Sequence, residues 1–269
     1  MVKCKGNILR EMFIILKNKK IKRGIIWLLL ATLVGGNMIS CDNKESKDVQ
    51  SKVNKYLNET YGEEFVVGDL TKHSNEGFSG KYYYGQAYKK SNPDMKFDVQ
   101  WDVGNPGKYI DSYLEKKWSK QGTEELKKIL KEIYGQDIWV YFVLNKKEDQ
   151  EYINCDYKEV ISKAHGDVYF ELAYYIPCEG NLDKKKEVEN LNKIIEPYIK
   201  NNGMEIFTFR VYYLKSEYKD EVLKDLEKKK SHYVKLDKLY NEKKLINAVY
   251  LDKLNEVINK EDIVKKFKY

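Results

Sequence analysis

The stretch Met95-Lys96-Phe97-Asp98-Val99-Gln100-Trp101-Asp102 alternates strictly between apolar and polar residues. Successive side chains of a strand point to opposite faces, so Met95, Phe97, Val99 and Trp101 line a buried face and the polar set a wet one. Upstream, Lys81-Tyr82-Tyr83-Tyr84-Gly85-Gln86-Ala87-Tyr88 reads as a Tyr-rich strand, and Ser91-Asn92-Pro93-Asp94 supplies turn residues that join the two as a hairpin. Val168, Phe170, Leu172, Tyr174 and Ile176 alternate in the same way. Ile138 to Leu144 is apolar throughout and suits a central strand covered on both faces.

Helices fill the gaps. Val49, Val53, Tyr56, Leu57 and Thr60 fall on one helical face, ahead of Gly62 and the strand Phe65-Val66-Val67. The same junction recurs at Gly135 and at Asn202-Gly203, each time with a strand about three residues later. Glycine is the cheapest residue for the left-handed turn that closes a helix. Asn105-Pro106 reads as a cap followed by Pro at the first helical position, opening a helix with Tyr109, Ile110, Tyr113, Leu114 and Trp118 inward. Gly122 breaks it and Thr123 restarts the next helix. Asp183 caps a further helix to Ile199, in which Pro197 makes a kink. Hairpins together with single helix crossovers predict an α+β fold with a mainly antiparallel, mixed sheet and covering helices. That domain spans 49–215. Residues 216–269 are rich in Lys and Glu with recurrent apolar pairs, and read as an amphipathic, helical C-terminal segment.

The N-terminus carries a different message. Lys17-Asn18-Lys19-Lys20-Ile21-Lys22-Arg23 is followed by the apolar run Ile25 to Val34, too short to span a bilayer and suited to the core of a secretory signal. The segment closes on Met38-Ile39-Ser40-Cys41. These residues resemble the lipobox of bacterial lipoprotein precursors, with Met38 in place of the usual Leu. The resemblance covers residues 1–41 and implies cleavage after Ser40 and diacylglycerol on the Cys41 thiol. It implies an acylated protein on the cell membrane or outer membrane, outside the cytoplasm, with residues 1–40 as signal peptide and 41–48 as a short tether. Met12–Ser40 alone makes a conventional signal of this type, and a start at Met12 would leave Cys4 outside the protein. Two or more acyl chains make a stable anchor where one does not.

Charge then removes one class of partner. The formal net charge is +7, but eight of the 49 basic and one of the 42 acidic residues fall in 1–40, leaving 41 of each beyond it. A chain so balanced has no net field to gather nucleic acid, and none is expected as a partner. The runs Lys184–Lys186 and Lys228–Lys230 read as solvated helix faces interleaved with acids.

Candidate chemistry is sparse. Cys155 and Cys178 are the thiols left once Cys4 and Cys41 are assigned, and outside the cytoplasm such a pair is a disulfide candidate. His73, His165 and His232 are too far apart for a local metal motif, and neither a metal nor another cofactor is expected. Asp94, Asp98 and Asp102 share one strand face, a row that could bind a hard cation or supply acid and base. Gly77-Phe78-Ser79-Gly80 has no phosphate-cradling pattern. Tyrosine is the distinctive residue: all 23 lie beyond residue 41, and Tyr82, Tyr83, Tyr84 and Tyr88 crowd one strand. Both parities occur, so some rings face outward, and exposed Tyr favours protein contacts. The reading is a membrane-anchored, non-enzymatic protein-binding module, such as an immunity protein or an accessory subunit of an envelope complex. The alternative is an envelope hydrolase with a carboxylate-based site.

Overall fold

Val49, Val53 and Leu57 are buried along one side of helix α1 (44–61), and the computed structural model sets that side against a sheet. It describes residues 44–74, 80–146, 149–163, 168–199, 206–229, 236–252 and 260–268. The signal segment and Cys41 lie outside these residues, as do Asn202-Gly203, Gly77 to Ser79, His165, His232 and Lys230. The chain divides into two compact units, Met1–Asp111 and Ser112–Tyr269.

In the first unit, α1 is followed by β1 (Phe65–Val67), β2 (Thr71–Ser74), β3 (Lys81–Lys89), β4 (Asn92–Asp102) and β5 (Tyr109–Asp111). All pair antiparallel in the order β1-β3-β4-β5, with β2 also on β3. Phe65, Val67, Tyr83, Ala87, Phe97, Val99 and Trp101 form the buried face. Polar contacts tie α1 to the sheet: Gln50 Nε2 donates to the Val67 carbonyl at 2.6 Å, and the Asn58 side chain accepts from the Phe65 N–H at 2.9 Å. The helix starts earlier than expected. Residues 44–48, read as tether, are helical; Ser46 donates to the Leu70 carbonyl at 2.9 Å and Glu45 pairs with Lys72 at 2.9 Å.

Two further expectations fail here. The turn between β3 and β4 is Lys90-Ser91, with Asn92 already paired to Lys89. No helix starts at Pro106. Asp102 Oδ1 accepts the N–H groups of Gly104 and Asn105, and Trp101 Nε1 donates to the Pro106 carbonyl at 2.9 Å. These bonds fold 103–108 into a return loop that sets Ile110 opposite Gln100 as strand β5.

The second unit runs α2 (Tyr113–Tyr134), β6 (Trp139–Lys146), α3 (Tyr157–Lys163), β7 (Val168–Cys178), α4 (Lys184–Ile199), β8 (Ile206–Lys215), α5 (Lys219–Lys229), α6 (Leu236–Asn241), β9 (Leu245–Asp252) and α7 (Lys260–Lys265). Its sheet has the order β6-β7-β8-β9, with β7 and β8 parallel and the other pairs antiparallel. The α+β class and its mainly antiparallel pairing therefore stand, with two sheets where one was expected, and parallel pairing in the second. The boundary does not: it falls inside 49–215, and 216–269 contributes a strand, β9, with Val249 and Leu251 buried against β8. The apolar strand 138–144 is at the sheet edge, and β7 holds the inner place. Gly62 and Gly135 close their helices at φ 65° and 69°. Gly122 interrupts nothing: α2 passes through it, because the missing side chain is where the Phe142 ring lies.

Candidate functional site

The register of the first sheet decides which tyrosines are available. Tyr83 points into the core at 1% exposure. Tyr82, Tyr84 and Tyr88 share the opposite face with the polar residues of β4: Tyr82 is opposite Asp102, Tyr84 opposite Gln100, Gln86 opposite Asp98 and Tyr88 opposite Lys96. On the outer strands, His73 is opposite Tyr82 and Ile110 opposite Gln100. Tyr84, Gln100 and Ile110 thus make one row across three strands, its ends 39% and 49% exposed. The His73 ring stacks on Tyr82 with centroids 5.3 Å apart and meets Tyr84 edge-on at 6.2 Å. A hydrogen bond to Asp98 raises the Tyr84 hydroxyl above its ordinary pKa. Strands sit ~4.8 Å apart and rise ~3.3 Å per residue, so β3 and β4 run about 30 Å and the three- and four-residue strands β1, β2 and β5 widen the face over about 10 Å each.

The carboxylate row lies on the same face without converging. Asp102 is taken up by the return loop, and Gln86 Nε2 approaches Asp98 at 3.5 Å. Among the described residues, no group of three His, Cys, Asp or Glu could hold a metal ion.

Cys155 and Cys178 are both unpaired, so the expected disulfide is absent. Cys155 precedes α3, and its carbonyl accepts from Trp118 Nε1 near the start of α2, beside the Lys146 end of β6, where Ser119 binds the Leu144 N–H. Cys178 ends β7 at the sheet's other end. Eleven residues of strand at ~3.3 Å each put roughly 30 Å between those ends, far beyond disulfide reach. Burial and the nearby Glu187 push the Cys178 thiol up to about 11.

Sequence reasoning missed two buried carboxylates of the second unit. Glu187, 5% exposed on α4, accepts from Tyr213 at 2.9 Å, from Tyr134, and from Asn190 Nδ2 at 3.3 Å. Glu171, 3% exposed on β7, pairs with Arg210 of β8 at 2.9 Å and accepts from Tyr169 at 2.7 Å. The alternation of 168–176 put Glu171 on a wet face, but β7 is an inner strand and Glu171, Ala173 and Tyr175 are buried as well; nothing local marked Glu187. Burial and the Glu187 charge raise the hydroxyls of Tyr174 and Tyr213 well above the ordinary phenol range. Both carboxylates are engaged by neighbours, which suits holding helix to sheet and strand to strand.

No protein-family model matches the chain, and no curated protein matches it by sequence. Its fold is similar to the crystal structure of a DUF5037 family protein from Ruminococcus gnavus. The TM-score is 0.43 at 18% identity, covering 80% of this chain and 97% of that one. No functional inference follows from a likeness at that level. Among the described residues, no helix is long and apolar enough to cross a membrane.

Proposed function

We propose that this protein is a lipoprotein held on the outer side of a membrane by lipid on Cys41, and that its first unit binds another protein through the open face of its sheet. The observation that supports this most is the row Tyr84–Gln100–Ile110 beside the His73–Tyr82 stack: large apolar groups left in solvent, ringed by Asp98, Asp102 and Lys96. Aromatic anchors within a polar rim are the usual make-up of a protein interface. The near-zero charge beyond residue 40 favours a protein partner over a polyanion.

Two measurements test the reading. Cells fed labelled palmitate should label the wild-type chain and not Cys41→Ala; an unlabelled wild type refutes the anchor. Affinity capture from envelope extracts should yield a partner whose affinity falls at least ~tenfold in Tyr84→Ala and in Ile110→Ala, since interface anchors are worth ~2 kcal/mol or more. Neutralising Lys184–Lys186 should leave it intact. A partner insensitive to both face substitutions refutes the assignment of this face.

A further inference from the structure

The second unit has a cleft of about 500 Å³ between α2, α3 and α4, unrelated to the face just described. Its floor is the ring pair Tyr157 and Tyr198. These rings are fixed from below: Tyr157 meets Phe142 edge-on at 5.5 Å, and Tyr198 stacks on Phe170 at 5.0 Å. Ile129, Ile161, Ile194 and Pro197 make the walls. Pro197 stands inside α4, where it has no N–H for the helix and costs roughly 3 kcal/mol relative to Ala. The chain accepts that cost at the cleft wall, where the Pro ring is a stiff apolar surface.

The mouth is polar and asymmetric in charge. Glu125, Lys158, Ser162 and Lys193 line it. Glu125 is the single acid of the lining and already pairs with Lys158 at 2.6 Å, so the remaining charge at the mouth is the Lys193 ammonium. Concave, mostly apolar clefts of roughly 300–1,000 Å³ with a few polar groups at one end are the size and make-up of small-molecule sites.

We propose that this cleft binds a small amphipathic anion, its acyl or aryl body against Ile129, Ile161, Ile194 and Pro197 and its carboxylate at Lys193. The site is independent of the protein-binding face of the first unit, and either can fail without the other.

The test uses the purified full chain and a dodecanoate bearing a photoreactive diazirine. Light should attach the probe to peptides of α3 and α4, and unmodified dodecanoate should compete it away. Lys193→Glu, at an exposed position, should lower that labelling about tenfold, the equivalent of 1.4 kcal/mol. Ser162→Trp, at the exposed rim, should abolish it by filling the mouth. A diazirine-bearing dodecylamine should label these peptides weakly in the wild type and better in Lys193→Glu. Hydrogen-exchange protection of β7 confirms that each variant is folded. Wild-type labelling confined to other peptides, labelling unchanged in both variants, or equal labelling by the amine overturns the proposal.

Discussion

Replacing Gly122 with Ala sets two effects against each other, and the structure decides the sign. In an exposed helix interior the change stabilises by about 1 kcal/mol, because Ala is the better helix former. At Gly122 the new methyl would lie 2.2, 2.3 and 2.6 Å from three atoms of the Phe142 ring. Carbon atoms rest ~3.5–4.0 Å apart, so the ring must retreat by more than ~1 Å. It has nowhere easy to go, being boxed edge-on by Tyr157 at 5.5 Å and Phe170 at 5.0 Å. Overpacking of this kind costs ~1–3 kcal/mol, and the confinement puts it toward the upper end. The net expectation is a loss of about 1–2 kcal/mol. Because the chain has two compact units, a global unfolding curve need not be two-state. The loss is best read as faster hydrogen exchange in peptides of β6 and α2. The Phe142→Leu background gives the internal control: with the ring gone, Gly122→Ala should become neutral or stabilising. Equal cost in both backgrounds, or stabilisation with Phe142 present, refutes the packing argument.

Two other outcomes follow from the buried polar groups. With its pKa near 11, Cys178 stays protonated at pH 8, so peptide-resolved alkylation there should run about a hundredfold slower in the folded chain than in denaturant. The same upward shift contributes stability that is complete below the ordinary thiol range and is lost as pH climbs from ~8.5 toward 11; a folded rate matching the denatured one contradicts it. Tyr213→Phe should destabilise the second unit by ~1.5–3 kcal/mol, since it removes a donor from a buried carboxylate, whereas Tyr84→Phe on the open face should change stability by less than ~0.5 kcal/mol. Denaturation followed by hydrogen exchange in each unit checks both, and equal effects would contradict the difference in burial.

What was legible in the sequence was what period and local chemistry control. The alternation of 95–102 and of 168–176 returned as strands β4 and β7, though β7 is buried on both faces, and Gly62 and Gly135 close helices with positive φ. What was not legible depended on partners far along the chain. Pro106 and Gly122 carry strong local signals for a helix start and a helix break, yet the Trp101 indole claims one and the Phe142 ring the other. Leu245–Asp252 has apolar pairs that fit a helix; β8 supplies the ladder that makes it a strand. The separation of Cys155 from Cys178 is likewise set by the length of β7, which spacing alone did not reveal.

The tyrosines show how composition and site are connected. A count of 23 suggests one purpose, but their surroundings differ. In the second unit, Tyr134 and Tyr213 donate to Glu187 and Tyr169 donates to Glu171. Phenylalanine would fill the same space and leave a buried carboxylate short of a donor, so here the hydroxyl is the reason for the residue. On the first sheet, Tyr82, Tyr84 and Tyr88 face away from the core while Tyr83, their neighbour in sequence, faces into it. Folding does not require large rings on a solvent face, since a polar β-branched residue pairs across strands as well. These rings pack on one another rather than on the core, Tyr82 stacked on His73 and Tyr84 edge-on to it, and that supports the proposed binding role: such rings offer wide contact with little rotamer entropy to lose. Strand parity therefore sends neighbouring tyrosines of one strand to opposite places, Tyr83 to the core and Tyr84 to solvent, while in the second unit Tyr134 and Tyr213 are held by the buried carboxylate they satisfy.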